Sequence, residues 1–315
     1  MTQPRVLCVV GPTACGKTKF GVLLAKRCGG EVVSIDSMQI YKGMAIGTAA
    51  PTEEEMEGVP HHMVAVADPR ESWSAARFTQ EADACVQSIL ARNKLPILAG
   101  GTGLYLDALI SGRTFAPGSA GGAVRAQLER ELEAGGIEPL LAELRRVDPE
   151  SAERLHPADR KRILRALEVY RETGKTISRH NRETQALPQK YAPICLGLAF
   201  RDREEMKRRI DLRVDAMLSA GLLEEVRALV DSGVPRSSTA LQAIGYKELL
   251  PVLDGTASLA EAAEEVKLRS RQYAKRQLTW LRRNREIHWL LREKEENLAA
   301  ALQKATEILA AQGLQ

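Results

Sequence analysis

An eight-residue run near the start of the sequence has the residue types and spacing that bind a phosphate chain. Residues 11–18 read Gly-Pro-Thr-Ala-Cys-Gly-Lys-Thr, which fits the phosphate-loop pattern G-x-x-x-x-G-K-T without a gap. The glycines let successive backbone N–H groups point into one concavity, and a helix that begins there adds partial positive charge. Lys17 supplies a full charge, and the Thr18 hydroxyl can hold a magnesium ion. The predicted phosphate-binding residues are Gly11, Pro12, Thr13, Ala14, Cys15, Gly16, Lys17 and Thr18, with Thr18 as the metal ligand.

A carboxylate, Asp36, follows the second apolar run of the chain at 31–35. In open α/β sheets the carboxyl ends of the strands face the ligand crevice, so this group can take a proton from a nucleophile or help hold a metal. It can equally cap its own turn. The third apolar run, 95–99, leads into Gly-Gly-Thr-Gly and lacks the acid that holds magnesium in common phosphate-loop NTPases. This argues against an NTP-hydrolysing motor and fits a departing diphosphate or a small kinase.

Basic residues later in the chain are candidates for binding anions. Arg213 lies beside the apolar stripe of a predicted helix and could form a fork on a diphosphate, although its spacing alone favours an ordinary surface arginine. Residues 267–285 include eight lysines and arginines and no acid. That pattern is typical of a nucleic-acid backbone contact or of a solvated basic helix. The pair His61-His62 has no cysteine or acid at matching spacing, which argues against a metal site.

The elements that must position these groups are strands and helices in alternation. Continuous apolar runs alternate with helical spacing, and the phosphate loop follows the first of them, which indicates a parallel sheet with helices on both faces. The predicted strands are 5–10, 31–35, 95–99, 194–200 and 287–291, and the predicted helices around them include 18–28, 75–92 and 104–110. We therefore predict an α/β fold, a P-loop NTPase-like parallel sheet with flanking helices.

The alternation stops in the middle of the chain, where residues 123–182 show helical patterns throughout. We predict an all-helical insertion domain at 113–190, placed within a P-loop catalytic core formed by 1–112 and 191–315. Within the first part of the core, we predict that segment 43–60 forms turns.

Composition places the chain among ordinary globular proteins. It has 315 residues, 44% hydrophobic and 27% charged, with a net charge of +4. Its five scattered cysteines lack any C-x-x-C pair, which favours a reducing compartment. No apolar run reaches the ~18 residues of a membrane span, and no signal peptide is evident. We expect a cytoplasmic monomer with no membrane partner.

The motifs together resemble those of the bacterial tRNA dimethylallyltransferase family, the isopentenyl-diphosphate:tRNA transferases. The phosphate loop is common to many families, but the ordered set is specific and covers nearly the whole chain. The matching segments are 11–18, 36–43, 47–49, 100–105, 154–159, 162–170, 213–215 with Met217, 242–248, 271–277 and Thr279-Trp280. Cys15, Ala50 and Met63-Val64 depart from the family pattern, and none of these departures removes a proposed catalytic group.

The resemblance implies that a dimethylallyl group passes from dimethylallyl diphosphate to N6 of adenosine 37 in tRNA, with release of diphosphate and with Mg²⁺ as cofactor. It assigns the base to Asp36 and stabilisation of the departing diphosphate to Lys17, Thr18 and Arg213. It implies that the insertion grips the anticodon stem-loop and that the target base leaves its stack. The implied tRNA contacts are Asp36, Ser37, Met38, Gln39, Thr102, Asp159, Arg160, Lys161, Arg162, Ile163, Lys275 and Arg276.

Two alternatives share the loop and the sheet. A small-molecule kinase would consume ATP without RNA. A nucleotide-gated RNA-binding module would bind RNA without turnover. Transfer of label from dimethylallyl diphosphate to tRNA without ATP distinguishes the resemblance from both.

Overall fold

A six-stranded parallel sheet forms the centre of the computed structural model, which describes residues 3–116, 122–293 and 298–314. The strand order is β3-β2-β4-β1-β5-β6. The strands are β1 (Arg5–Val10), β2 (Glu31–Ser34), β3 (His61–His62), β4 (Pro96–Gly100), β5 (Ala192–Phe200) and β6 (His288–Arg292). The predicted α/β class with a parallel sheet is confirmed.

The chain divides into two compact units, one of residues 1–110 and 190–315 and one of residues 111–189. We call them the sheet unit and the helical unit. The helices of the sheet unit are α1 (Lys17–Cys28), α2 (Ala45–Thr48), α3 (Glu53–Met56), α4 (Ala75–Ala91), α5 (Gly103–Ser111), α11 (Arg203–Ser219), α12 (Leu222–Asp231), α13 (Leu250–Leu253), α14 (Leu259–Leu281) and α15 (Leu298–Ala311). Those of the helical unit are α6 (Ala123–Gly135), α7 (Glu138–Val147), α8 (Pro149–Arg154), α9 (Arg160–Thr173) and α10 (Ile177–Gln185).

The central strand, β1, shows why the strands read as continuous apolar runs. Successive side chains of a strand point to opposite faces. Val6, Cys8 and Val10 accordingly join one buried cluster, while Leu7 and Val9 join another. Both faces of the sheet are therefore covered, and both sets of residues must be apolar.

The helical unit has a core of its own. Leu128 of α6, Leu144 of α7 and Leu167 of α9 are completely buried and belong to one cluster. Residues 117–121 of the predicted insertion lie outside the described residues.

Several elements differ from the sequence-based expectation. The segment 43–60, predicted as turns, contains α2 and α3, and the two-residue strand β3 pairs with β2. Such short elements contain too few residues to show the hydrophobic periodicity of a helix or a strand. The start of α3 is instead marked by a capping box formed by Thr52 and Glu55. Among the described residues, no helix combines the length and apolarity that a bilayer crossing requires.

Candidate active site

The loop after β1 is a tight turn that ends on a helix. α1 begins at Lys17, and Gly16 before it has a φ of 93°, a left-handed conformation that glycine adopts without steric cost. Ala14 is also left-handed, with a φ of 63°, which costs a non-glycine residue about 1–2 kcal/mol. The Nζ of Lys17 donates a hydrogen bond to the carbonyl oxygen of Pro12 at 2.7 Å. The loop therefore has the local geometry that the phosphate-loop pattern predicts.

A cavity of about 410 Å³ opens beside this loop within the sheet unit. The predicted phosphate-binding residues that line it are Thr13, Ala14, Gly16, Lys17 and Thr18. Gly11, Pro12 and Cys15 are buried and lie outside its lining. The other predicted residues in the wall are Asp36, Ser37, Met38, Gln39, Arg213 and Arg276. Residues distant in the sequence thus converge on one cleft, at the carboxyl ends of β1, β2 and β4.

Asp36 follows β2 and has one oxygen committed to its own turn. Its Oδ1 accepts hydrogen bonds from the backbone N–H of Met38 at 2.9 Å and of Gln39 at 3.4 Å. No hydrogen bond to Oδ2 is found among the described residues. The sequence allowed Asp36 to cap its own turn or to act on a ligand. The two roles are compatible, because Oδ1 caps the turn and Oδ2 remains available at the cavity.

Arg213 reaches the same cavity from α11. Within the described part of the chain its guanidinium makes no ion pair or hydrogen bond. Burial lowers the pKa of Arg213 from its ordinary value, while the neighbouring charge of Asp36 acts in the opposite direction. Arginine remains charged even when partly buried. An unpaired, half-buried guanidinium beside a phosphate loop is suited to bind an anion.

Two tyrosines show that the surroundings of Asp36 are poorly solvated. Burial, with smaller contributions from Tyr41 and Asp36, raises the pKa of Tyr105 to about 12. Burial and the charge of Asp36 likewise raise the pKa of Tyr273, a cavity residue of α14, to about 12. Both phenols are therefore neutral donors near the carboxylate at physiological pH. Electrostatic interactions in such a site are stronger than in water.

Gln39 lines the cavity with its amide bound to other parts of the protein, and Thr102 lies farther away. The Oε1 of Gln39 accepts from the Ser34 hydroxyl at 2.8 Å, and its Nε2 donates to the carbonyl oxygens of Thr48 at 3.3 Å and Ala49 at 3.0 Å. Its amide thus holds the protein's own backbone, and an adenine contact would require it to exchange partners. Thr102 lies outside the cavity lining, and its buried hydroxyl has no hydrogen-bond partner among the described residues.

The basic stretch divides into two halves along α14 and beyond. In the first half, Lys267 pairs with Asp215 and Glu264, Arg269 with Glu265, and Arg271 with Asp211. In the second half, no ion pair is found within the described ranges. Its residues are Lys275, Arg276, Arg282, Arg283 and Arg285. Arg276 lines the cavity, whereas Lys275 is exposed outside it. Because the first half is neutralised, the cations that remain available for the predicted phosphate-backbone contact lie, within the described residues, in the second half.

In the helical unit, α9 begins with three consecutive basic residues, Arg160, Lys161 and Arg162, all exposed. Arg162 is 3.8 Å from Asp159, and no ion pair of Arg160 or Lys161 occurs in the described structure. Cations at a helix N-terminus are unfavourable, since that end already carries partial positive charge. Ile163 is completely buried in the core of the unit. Its side chain is therefore shielded from solvent, and the predicted RNA contact at Ile163 is limited to its backbone.

Sequence reasoning did not assign a role to several residues of the cavity wall. Gln242 and Gly245 come from the loop after α12, and Tyr273 and Gln277 come from α14. These residues lie in segments 242–248 and 271–277, which match the family pattern. The available signal was the spacing of 273, 276 and 277, which places these side chains on one face of the helix.

Comparison with known proteins places the chain among transferases. A family model described as IPP transferase matches residues 39–284, and one described as isopentenyl transferase matches residues 4–70. A tRNA dimethylallyltransferase of Geobacillus thermodenitrificans is 46% identical over 310 residues, which cover 98% of this chain and 97% of the relative. The chain belongs to the IPP transferase family. The resemblance predicted from the motifs is thereby confirmed.

Solved IPP transferase structures share the fold. A tRNA delta(2)-isopentenylpyrophosphate transferase from Staphylococcus epidermidis is 41% identical, with a TM-score of 0.71 and coverage of 98% of this chain and 100% of that one. A eukaryotic dimethylallyltransferase acting on tRNA is 29% identical, with a TM-score of 0.83 and coverage of 99% and 80%. IPP transferases are prenyltransferases, so this chain is an enzyme of that class.

Transferases of this family that use a prenyl diphosphate generally need a divalent metal ion. Among the described residues, no cluster of three His, Cys, Asp or Glu side chains could hold a metal alone. The Thr18 hydroxyl and the Asp36 carboxylate both line the cavity. This sparse set of oxygens fits a hard cation such as Mg²⁺, which is usually held by one or two protein oxygens together with phosphates and water.

Proposed function

We propose that this chain transfers a dimethylallyl group from dimethylallyl diphosphate to N6 of adenosine 37 in tRNA and releases diphosphate. One observation carries the proposal. A single cavity combines a phosphate loop with Arg213 and Asp36, and within residues 3–116, 122–293 and 298–314 the arginine has no carboxylate partner and Oδ2 of Asp36 accepts no hydrogen bond. An anion site beside a proton acceptor is the arrangement that this substitution needs.

The diphosphate lies on the loop, where it meets the N-terminus of α1, Lys17 and Arg213. When the C–O bond of the donor breaks, its electron pair leaves with the diphosphate and negative charge grows on the bridging oxygen. Lys17 and Arg213 stabilise that charge, and removal of one such group typically costs about 10²–10³ in rate. The Thr18 hydroxyl would hold Mg²⁺, which would supply further charge stabilisation.

Asp36 acts on the nucleophile. The N6 amine of adenine is a weak nucleophile because its lone pair is delocalised into the ring. As N6 bonds to the allylic carbon, its N–H proton passes to Oδ2 of Asp36. Meanwhile Oδ1 keeps the carboxylate fixed through Met38 and Gln39. General-base assistance of this kind contributes about 10²–10⁴-fold.

The anticodon stem-loop is bound through phosphates by two basic surfaces, each defined within its own unit. One is the start of α9, with Arg160, Lys161 and Arg162. The other is the second half of the basic stretch, with Arg276 at the cavity. RNA phosphates pair with the basic side chains of both surfaces. The target adenine leaves its stack to reach Asp36.

We further propose that the enzyme acts as a monomer in the cytoplasm, with residues 113–190 as its tRNA-binding insertion. All five cysteines are free, as expected for a reducing compartment that also contains tRNA. Light scattering of the purified chain at several concentrations tests the monomer.

The decisive experiment incubates the chain with tRNA that lacks the modification, labelled dimethylallyl diphosphate and Mg²⁺, without ATP. Mass spectrometry of the tRNA nucleosides should show a prenylated adenosine at position 37, and EDTA should prevent it. ATP consumption without RNA, or tRNA binding without a modified nucleoside, would overturn the proposal in favour of a kinase or a binding module.

A further inference from the structure

The side chain of Gln277 connects two loops at the cavity, and the mechanism above leaves it without a role. Gln277 lies on α14 and is buried, with 5% of its surface exposed. Its Oε1 accepts a hydrogen bond from the backbone N–H of Thr13 at 2.9 Å. Its Nε2 donates to the carbonyl oxygen of Gly101 at 3.1 Å. One amide therefore joins the loop after β1 to the loop after β4.

The packing around this amide is tight. A Cβ atom at Gly101 would lie 2.0 Å from the Nε2 of Gln277, so position 101 has no room for a side chain while the amide stays in place. The Tyr273 phenol lies one turn earlier on α14, near Gln277 and Thr102. The Gln277 amide is thus held from both loops by its two hydrogen bonds.

We propose that Gln277 is a positioning residue that holds the diphosphate loop in its binding conformation and registers it with the loop that carries Thr102. The inference rests on the proposed function. Thr13, whose N–H is held, precedes the left-handed Ala14. That strained turn persists only where surrounding contacts hold it. Because the same amide holds Gly101, the loop after β1 and the loop after β4 stay aligned beside the cavity.

Removal of the Gln277 amide affects the backbone of both loops. Without the Gln277 amide, the Thr13 N–H and the Gly101 carbonyl lose their partner, and Ala14 is free to leave its left-handed conformation. Diphosphate binding must then restore the loop, so the affinity for diphosphate falls. Loss of hydrogen bonds of this kind corresponds to about a tenfold change in affinity.

The test uses Gln277→Met, which retains approximate side-chain volume and removes both hydrogen bonds. We expect the Kd for inorganic diphosphate with Mg²⁺, measured by calorimetry without tRNA, to rise about tenfold. The KM for dimethylallyl diphosphate should rise by a similar factor, and kcat should change less. Gln272→Met is the matched control. Gln272 lies on the same helix but is exposed, so both constants should stay at the wild-type values.

Gly101→Ala provides a second variant, because its methyl group must displace the Gln277 amide. It should weaken diphosphate binding to a similar extent in protein that circular dichroism shows to be folded. A folded Gln277→Met enzyme with unchanged Kd and KM would overturn the inference. So would a lower melting temperature without any change in Kd. A wild-type chain that fails to prenylate tRNA would instead contradict the proposed function.

Discussion

The two ends of β2 each carry a carboxylate, but in opposite electrostatic settings. Glu31 begins the strand, is 3% exposed, and is bonded to His62 at 2.8 Å, Arg92 at 2.6 Å and Lys94 at 2.9 Å. Asp36, just beyond the other end, accepts bonds only from its own turn among the described residues. Arg213 lies near it, and within the part of the chain that the structure describes it has no ion-pair partner. One end of the strand is neutralised within the protein, and the other is not.

This difference separates structural charge from functional charge. Burying a charged group is unfavourable unless it is paired. At Glu31 the partners are supplied by neighbouring side chains, and the result is stability. At Asp36 and Arg213, in the mechanism we propose, the substrates satisfy the charges. The same contrast divides the basic stretch, where Arg269 has a carboxylate partner and Arg276 has none in the described structure.

The largest effect is expected for Asp36→Ala. With no proton acceptor at the cavity, kcat for prenyl transfer should fall by about 10²–10⁴. Rapid-quench assays with saturating donor measure this directly. Asp254→Asn removes a carboxylate that pairs with Arg236 at an exposed site, and it should leave kcat unchanged. Near-normal turnover of Asp36→Ala would remove the basis for the general-base assignment.

Arg213→Ala is expected to have the next largest effect. Loss of the unpaired guanidinium should lower kcat/KM for dimethylallyl diphosphate by about 10²–10³. Arg213→Lys should recover part of this, since lysine keeps the charge and loses the fork. Arg208 on the same helix is bound to Glu205, so Arg208→Ala provides the matched control. Equal losses in both alanine variants would contradict a specific role for Arg213.

Salt dependence distinguishes free from paired cations. Lys161→Ala should weaken tRNA binding uniformly and lower the slope of log Kd against log salt by about 1. Arg269→Ala should alter the slope much less, because Glu265 already neutralises that guanidinium. Filter binding across a range of potassium chloride concentrations measures both. Identical slopes for wild type and Lys161→Ala would exclude a phosphate contact at α9.

The smallest effect on catalysis is expected at Glu31. Burial alone would raise the pKa of this carboxyl, but hydrogen bonds from His62, Lys94 and Arg92 outweigh it and lower the pKa to about 2. The ordinary value is 4.5. Because the folded-state pKa is depressed, the stabilisation is present above about pH 4.5 and is lost as the pH falls towards 2.

Glu31→Gln should therefore lower the free energy of unfolding at pH 7 by about 2 kcal/mol, a magnitude typical of hydrogen bonds to a charged group. It should also flatten the dependence of stability on pH between about 4.5 and 2. Urea denaturation at several pH values tests both effects. The kcat of Glu31→Gln should match that of the wild type. A large loss of kcat would contradict the assignment of a structural role to Glu31 at one end of β2 and a catalytic role to Asp36 at the other.

Sequence reasoning reached the parallel sheet because buried parallel strands read as uninterrupted apolar runs, as in β1. It reached the loop at 11–18 because a gapless pattern stood between a strand and a helix. It could not find β3, which has two residues, or the pairing of Lys267 with Asp215, which lies 52 positions away in the sequence. It also left Gln277 without a role, since an isolated glutamine in a helix gives no signal until its two partners are known.

The order of β1 in the sheet has a consequence for synthesis of the chain. β1 is made first, yet it pairs with β4 and β5 on its two sides, and the loop that follows it is held by Gln277 and by Arg292, which donates to the Cys15 carbonyl at 2.9 Å. A nascent polypeptide that ends before Gln277 lacks both of these contacts to the loop. We therefore expect it to bind the prenyl donor more weakly than a chain that includes them.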